Sequence, residues 1–312
     1  MLKNESVTEN LSPPEGLTTI RDFIRWGASR FSQASLSFGH GTDNALDEAR
    51  WLVLHSLDLP WNLSNDYLSS VLTIEERLAA TALIGRRIRE RKPAAYLTGQ
   101  AVFAGLQFTV DERVLVPRSP IAELIEQGFE PWLDASSVRR VLDLGAGSGC
   151  IAIACAFAFP NALIDAVDLS AGALEVAALN VAKHGLEERV ELIESDLYTE
   201  LPDRQYDLIV SNPPYVRRSE WEALPHEYHA EPEIGLHGGE SGLDCVRRIL
   251  TGAGRRLTEN GLLVVEVGSS AQALLESYPG LLFVWPDFER GGDGVFLLSA
   301  EQLYAFDAED RI

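Results

Sequence analysis

Beyond Arg139 the chain alternates short apolar runs with helical segments, and this alternation constrains the fold more than any other feature. Helix-like segments, including Cys150–Phe159 and Ala171–His184, separate the apolar runs. The runs are Val141–Leu144, Leu163–Asp168, Val190–Glu194, Tyr206–Ser211 and Leu262–Val267. Strand–helix–strand units connect parallel neighbours, so the pattern predicts an α/β fold with a mostly parallel sheet.

The end of this region departs from the alternation. Leu281–Trp285 and Val295–Ser299 flank a Gly-Gly-Asp-Gly sequence at 291–294, without room for a helix between them. The spacing predicts an antiparallel hairpin added to the parallel sheet. Nucleotide-binding dehydrogenases do not usually end this way.

A glycine-rich turn follows the first of these strands. Val141–Gly149 reads VLDLGAGSG, with glycines at 145, 147 and 149 and Asp143 before them. Glycine lets the backbone adopt unusual dihedral angles and approach a ligand closely. The G-x-G-x-G spacing differs from the G-x-G-x-x-G of dinucleotide folds. The absence of a Lys-Ser/Thr pair excludes a triphosphate-binding P-loop.

Polar residues also end the next two strands. Asp168 ends the second strand, where a carboxylate can accept hydrogen bonds from both hydroxyls of a ribose. Asp196 follows the third, where a side chain can reach an adenine edge. Together with the glycine turn, these residues predict a nucleoside-containing cofactor.

The sequence Asn212-Pro213-Pro214-Tyr215 interrupts the fourth strand. Proline cannot supply the N–H that a central strand needs, so these residues predict a stiff loop at the strand's C-terminal end. The Asn212 side chain and the Pro213 carbonyl can accept the two N–H bonds of a planar amine, and Tyr215 can stack on it. Such a loop predicts the positioning of a weakly nucleophilic nitrogen.

The DLGAGSG sequence resembles the first motif of S-adenosylmethionine-dependent methyltransferases with a seven-stranded sheet, a class I fold that also ends in an antiparallel strand. The resemblance implies S-adenosylmethionine as the cofactor. It also implies that the following residues bind it: Asp143, Gly145, Ala146, Gly147, Ser148, Gly149, Asp168, Asp196, Leu197 and Asn212. Asn212, Pro213, Pro214 and Tyr215 become the expected catalytic loop.

The NPPY loop occurs both in methyltransferases of adenine or cytosine amines in DNA and in those of glutamine amides in proteins. A net charge of −21, from 26 Lys and Arg against 47 Asp and Glu, opposes stable binding to DNA or to anionic membranes. The charge instead favours a basic partner, although acidity also serves solubility. No DNA-recognition domain is evident, and the segment before the hairpin predicts a helical domain instead.

Longer segments narrow the resemblance to the bacterial protein glutamine methyltransferases. They are AYLTGQAVFAGLQFTVDERVLVPRSPIAELI, the glycine motif, and SNPPYVRRSEWEALPHEYHAEPEIGLHGGESGLDCVRRIL. PRSPIAELI and EYHAEPEIGLHGGESGLD resemble the branch that acts on the third large-subunit ribosomal protein. The expected substrate is therefore a glutamine of this basic protein. Release-factor methylation is the main alternative; a DNA adenine methyltransferase or a non-catalytic assembly factor is less favoured.

The N-terminal third predicts a small helical domain. Helices are expected over Leu17–Phe31, after a cap at Asp43 or Asn44, and from a Thr73/Glu76 capping box to a point before Pro93. Short β-like runs at 101–103, 106–110 and 113–116 predict a hairpin. The predicted divisions are a disordered terminus (1–16), a helical substrate-recognition domain (17–95), a hairpin linker (96–120) and a catalytic domain (121–312).

Several other residues have more than one interpretation. The basic cluster Arg86–Lys92 predicts a solvated helix face, or a contact to RNA or to an acidic patch elsewhere in the protein. Arg118 and Glu123 are expected to shape the acceptor pocket or to pair with each other. His226, His229 and Glu231 lack a third strong ligand at a suitable spacing, so no metal site is predicted.

The remaining features concern the compartment. Cys150, Cys155 and Cys245 are sparse and lie in apolar or helical contexts, which predicts buried thiols in a reducing compartment. The longest apolar run spans ten residues, about half of what a membrane-spanning helix needs. The first fifteen residues contain no apolar signal-peptide core. These observations predict a soluble, cytoplasmic protein.

Overall fold

The computed structural model describes residues 12–13 and 15–310, with side chains described only as far as residue 305. The predicted disorder of residues 1–16 therefore falls mostly outside the described residues. The chain forms two compact units. Unit 1 comprises Met1–Gln100 together with Pro225–Ala230, and unit 2 comprises Ala101–Leu224 with Glu231–Ile312. The sequence contained no signal for the return of Pro225–Ala230 to unit 1.

Unit 1 is helical. Its α-helices are α1 (Ile20–Gln33), α2 (Ala45–Ser56), α3 (Ile74–Glu90) and α4 (Ala94–Thr98), and 3-10 helices cover Asn65–Ser69 and His226–Ala230. The capping predictions are confirmed: Asn44 caps α2, and Thr73 and Glu76 form a capping box at the start of α3. Phe23, Phe31, Leu52 and Ile84 are fully buried between the helices. Their burial supplies the hydrophobic driving force for this unit.

Arg87 lies buried in the core of unit 1. Its Nε donates to Glu48 Oε1 at 2.6 Å, and its Nη1 lies 3.7 Å from Glu227 Oε1. Arg91 donates to the same Glu227 oxygen at 2.8 Å. The prediction of a solvated helix face was therefore wrong for Arg87. The alternative prediction, a contact to an acidic patch, fits Arg87, and the patch consists of Glu48 and Glu227. Arg86, by contrast, is exposed and pairs with Glu90.

Unit 2 contains the sheet and the helices that pack on it. Its strands are β1 (Gln100–Phe103, which begins one residue before the unit), β2 (Leu106–Thr109), β3 (Arg140–Leu144), β4 (Leu163–Asp168), β5 (Val190–Glu194), β6 (Tyr206–Ser211), β7 (Leu257–Glu266) and β8 (Val295–Ser299). Its helices are α5 (Ile121–Glu126), α6 (Cys150–Ala158), α7 (Ala171–Lys183), α8 (Arg218–Trp221), α9 (Glu233–Leu236), α10 (Asp244–Arg256), α11 (Ala271–Ser277) and α12 (Ala300–Asp310).

The predicted mostly parallel sheet is confirmed. Its strand order is β5-β4-β3-β6-β7-β8, with every pair parallel except β7 and β8. The order reverses between β3 and β6, and ligands of open α/β sheets bind outside the strand ends at such a reversal. Leu144 and Ser211, the last residues of these two strands, lie opposite each other. Gly145 and Asn212 follow them directly.

Two predicted strands do not form in the described residues. Leu281–Trp285 contributes only a bridge from Val284 to Leu297, so the sheet has six strands rather than seven. Pro286 follows at once and lacks the N–H that a longer ladder would need. At 113–116 the backbone turns: Val114 N–H donates to Asp111, and Val116 N–H donates to the Glu231 carboxylate.

Acidic charge is distributed unevenly along the chain. Residues 1–100 contain 12 Asp and Glu against 11 Lys and Arg, whereas residues 101–312 contain 35 against 15. The net negative charge therefore resides almost entirely in the part that forms the sheet. Within the described residues, no helix is long and apolar enough to cross a membrane.

The three cysteines are free thiols. Only Cys155 is buried, and burial raises its thiol pKa well above the ordinary value. Cys150 and Cys245 are partly exposed, so the prediction that all three are buried was wrong.

Candidate active site

The glycine turn after β3 forms an open backbone cradle. Gly145 and Gly147 have φ angles of +77° and +55°, which side-chain-bearing residues rarely adopt. A Cβ atom at either position would meet nothing within 4 Å, so the backbone faces open space. Gly149 instead packs against α7, because its Cβ would lie 3.3 Å from Ala177 Cβ. The first two glycines thus leave room for a ligand, and the third permits close helix packing.

Asp168, at the end of β4, orders this turn. Its Oδ2 accepts from Gly147 N–H and its Oδ1 accepts from Ser170 N–H, both at 2.8 Å. Burial raises the pKa of its carboxyl group, against the effect of these hydrogen bonds. The carboxylate is thereby fixed beside the cradle.

A cavity of about 140 Å³, which we call the Asp168 cavity, opens beside this carboxylate. Its lining includes Gly145, Val167, Asp168, Ser195, Asp196, Leu197, Asn212, Pro214 and Cys245. Asp196 also accepts from Arg248 at 2.9 Å. Predicted cofactor residues from the ends of four strands, β3, β4, β5 and β6, therefore meet in one cavity.

Three other predicted cofactor residues lie elsewhere. Asp143 is fully buried under the turn, where its Oδ2 accepts from Ala152 N–H at 2.9 Å. Burial raises its pKa to about 7. Ala146 and Ser148 line a second cavity, of about 80 Å³, which we call the Tyr215 cavity. Its other walls include Val116, Arg118, Ser119, Cys150, Tyr215 and Leu236.

The loop after β6 connects the two cavities. Asn212 lines both of them, Pro214 lines the Asp168 cavity, and Tyr215 lines the Tyr215 cavity. Pro213 is buried and belongs to neither lining. One short loop therefore presents the Asn212 carboxamide where a ligand in one cavity would meet a ligand in the other.

Tyr215 is held at several points. Its hydroxyl donates to Glu266 Oε1 at 2.9 Å, and its carbonyl accepts from Ser270 Oγ at 2.9 Å. The ring packs on Gly268, where a Cβ would lie 2.5 Å from the ring carbon Cε2. Sequence reasoning missed Glu266, although a carboxylate that ends an apolar parallel strand was a visible signal.

Arg118 and Glu123 do not pair with each other, so that prediction was wrong. Arg118 Nη1 and Nη2 each donate to an oxygen of Glu231 at 2.7 Å, and Arg118 lines the Tyr215 cavity. Glu123 accepts from the backbone N–H groups of Glu289 and Arg290, both at 2.9 Å. The Glu231 carboxylate thus accepts hydrogen bonds from both Arg118 and Val116 N–H.

The metal-ligand candidates are divided between the two units. His226 and His229 belong to the segment that joins unit 1, whereas Glu231 belongs to unit 2. Among residues 12–13 and 15–310, no group of three or more His, Cys, Asp or Glu side chains is arranged to hold a metal ion.

Comparison with known proteins decides the family. The chain is 54% identical over 293 residues to the ribosomal protein uL3 glutamine methyltransferase of Xanthomonas campestris pv. campestris, and the match covers 94% of both chains. The chain belongs to the ribosomal protein uL3 glutamine methyltransferase family. The enzyme of Xylella fastidiosa strain Temecula1 is 52% identical over 296 residues, which cover 95% of this chain and 94% of that protein.

Two further matches concern the methyltransferase part of the chain. Residues 129–226 match the model of the methyltransferase small domain. The solved catalytic domain of hMettl16, in complex with a MAT2A 3'UTR hairpin, superposes with a TM-score of 0.50 at 19% identity. That match covers 62% of this chain and 75% of that chain, and it supports the fold alone. The resemblance seen in the sequence, including its ribosomal-protein branch, is confirmed.

Proposed function

We propose that this chain transfers a methyl group from S-adenosylmethionine to the side-chain amide nitrogen of a glutamine in ribosomal protein uL3. One observation supports the proposal above all: in a member of this family, Asn212 lines two cavities at once. One suits a nucleoside-containing donor, and the other suits a planar acceptor. We place the reaction in the cytoplasm, where ribosomal proteins are made.

The Asp168 cavity has the chemistry that the donor requires. Asp168 can still accept hydrogen bonds from ribose hydroxyls, because each carboxylate oxygen has more than one lone pair. Val167 and Leu197 provide apolar surface for an adenine ring. The open cradle at Gly145 and Gly147 admits the remaining part of the molecule. When bound, the cofactor supplies an electrophilic methyl group.

The NPPY loop then positions the acceptor. An amide nitrogen is a weak nucleophile because its lone pair is delocalised into the carbonyl group. Asn212 Oδ1 would accept one of its N–H bonds. The backbone carbonyl of Pro213 would accept the other, although the buried Pro213 ring lines neither cavity, and Tyr215 would form a wall beside the amide plane. Orientation of this kind can contribute about 7–11 kcal/mol of barrier reduction in favourable cases. As the new N–C bond forms, the methyl–sulfur bond of the donor would break and the sulfur would keep the electron pair. The methylated amide would then lose a proton to water, so no strong base is needed to start the reaction.

The test is a panel of acceptors with methyl-labelled S-adenosylmethionine. Unmethylated uL3, unmethylated release factor and unmethylated DNA are incubated separately with the purified protein. We expect label on uL3, and mass spectrometry should locate it on a glutamine side chain. Label on the release factor alone would move the activity to the neighbouring branch. Label on DNA alone, or no label on any acceptor, would overturn the proposal.

The charge distribution predicts a salt dependence. uL3 is basic, and most of the enzyme's negative charge lies in residues 101–312. Long-range attraction accelerates encounter and weakens as salt shortens the screening length from about 10 Å at 0.1 M to about 3 Å at 1 M. KM for uL3 should therefore rise with salt while KM for the cofactor changes little. Equal salt sensitivity of both constants would contradict electrostatic steering.

A further inference from the structure

Behind the wall of the Tyr215 cavity lies a buried carboxylate to which the family resemblance assigned no role. Glu266 is the last residue of β7 and is only 5% exposed. Its Oε1 accepts from the Tyr215 hydroxyl at 2.9 Å, and its Oε2 accepts from Ser119 Oγ at 2.5 Å. Both donors line the Tyr215 cavity, whereas Glu266 does not. The carboxylate therefore touches the cavity only through these two hydroxyl groups.

Steric contacts restrict Tyr215 in addition to the hydrogen bond that its hydroxyl group makes. Gly238 packs on the loop backbone, because its Cβ would lie 2.5 Å from the Pro214 carbonyl oxygen. Gly242 packs on the Tyr215 carbonyl oxygen in the same way, at 2.3 Å. The backbone and one ring edge are thus fixed by steric contact, and the far end of the ring is fixed by Glu266.

The electrostatic surroundings favour a fixed contact between the Tyr215 hydroxyl and the Glu266 carboxylate. Burial raises the pKa of Glu266, while the hydrogen bonds from Ser119 and Tyr215 and the positive charge of Arg118 act in the opposite direction. A buried carboxylate that loses one of its donors pays a desolvation cost, so the hydroxyl and the carboxylate hold each other in place.

We propose that Glu266 is a positioning residue for methyl transfer, which sets the Tyr215 ring against the acceptor amide through the Tyr215 hydroxyl. This inference rests on the proposed function, because it concerns the wall of the acceptor cavity. Glu266 contacts neither acceptor nor donor. Its effect should appear in kcat, where orientation acts, and not in affinity for the cofactor.

Four variants test the coupling: Tyr215→Phe, Glu266→Leu, Glu266→Gln and the double variant Tyr215→Phe/Glu266→Leu. Displacement of a reacting group by about 1 Å can cost about 100-fold in rate, so we expect kcat to fall by roughly 10–100-fold in each of the first two. The double variant should lose no more than the worse single variant, because both remove one contact. Glu266→Gln should recover much of kcat, since its carbonyl oxygen can still accept from Tyr215.

The chain offers a matched control. Tyr206 is a fully buried tyrosine, and its hydroxyl donates to the buried carboxylate of Asp165 at 2.7 Å in the same sheet. Neither residue lines the two cavities. Tyr206→Phe removes the same oxygen atom from another tyrosine–carboxylate contact, in which the carboxylate is also paired with Arg204, so it should lower stability without lowering kcat. An equal loss of kcat in this control would attribute the effect to general loosening of the sheet and overturn the proposal.

The outcomes separate this inference from the function on which it rests. Cofactor affinity, measured by calorimetry, verifies that each variant is folded. If Glu266→Leu does not fold, the comparison of Tyr215→Phe with Glu266→Gln remains, since both changes are nearly isosteric. Two results would overturn the positioning role: losses of kcat that add strictly in the double variant, or a Glu266→Gln variant whose kcat is as low as that of Tyr215→Phe. Methylation of uL3 by the wild-type protein would persist in either case, so the proposed function would stand. A wild-type protein inactive on every acceptor would refute the proposed function itself.

Discussion

Asn212→Ala should lower kcat for methyl transfer by about 10²–10³ while the variant still binds S-adenosylmethionine. Asn212 lines both cavities, and its carboxamide is the side-chain acceptor proposed to orient the amide nitrogen. Loss of one preorganised polar contact to the reacting group typically costs about 10²–10³ in kcat. The Asp168 cavity retains its carboxylates and its glycine cradle in the variant. Single-turnover transfer to uL3 and calorimetric titration of the cofactor would measure the two effects separately.

The reciprocal variant is Asp168→Ala. It removes the carboxylate that orders Gly147 and lines the donor cavity, so cofactor affinity should fall sharply. Any remaining kcat at saturating cofactor should exceed that of Asn212→Ala. If Asn212→Ala instead lost cofactor affinity in proportion to activity, Asn212 would belong to the donor site only. Full activity of Asn212→Ala would refute the proposed hydrogen bond between the acceptor amide and Asn212.

The fold was largely predictable because its signals are local. The central strands β6 and β7 contain short continuous apolar runs at 208–210 and 262–265, as strands buried on both faces of a sheet require, whereas the edge strand β5 contains two glutamates. The helix starts at Asn44 and Thr73 follow from side chains that accept the first free N–H groups. The proximity of Asn212 and Asp168 could be predicted because parallel strands place their C-terminal ends at one edge, and both residues line the Asp168 cavity.

The remaining site residues depend on contacts between distant parts of the chain. Tyr215 and Glu266 lie 51 residues apart, and Arg118 and Glu231 lie 113 apart. No periodicity relates such pairs, so the sequence suggested Glu123 as the partner of Arg118 on proximity alone. The burial of Arg87 was unpredictable for the same reason: Glu227 lies 140 positions further along the chain and reaches unit 1 only through the short segment Pro225–Ala230.

This buried cluster leads to the largest expected effect on stability. Arg87 is fully buried between Glu48 and Glu227, whose side chains are also fully buried. It also donates to the Ser37 carbonyl at 3.0 Å. Removing one partner of a buried ion pair costs about 3–5 kcal/mol, because the remaining charge stays buried without compensation. Arg87→Met keeps most of the side-chain volume and leaves the buried Glu48 carboxylate without its cationic partner, whereas Glu227 keeps its ion pair with Arg91.

We therefore expect Arg87→Met to lower the free energy of unfolding of unit 1 by about 3–5 kcal/mol in urea titrations. Arg86→Met is the matched control, since Arg86 is the adjacent residue of the same type and pairs with Glu90 at the surface. It should cost about 0.5 kcal/mol or less. Adding Glu48→Gln to Arg87→Met should restore part of the loss, because a neutral amide costs less to bury than an unpaired carboxylate. Equal effects of the Arg86 and Arg87 variants would show that the buried cluster does not stabilise the helical unit.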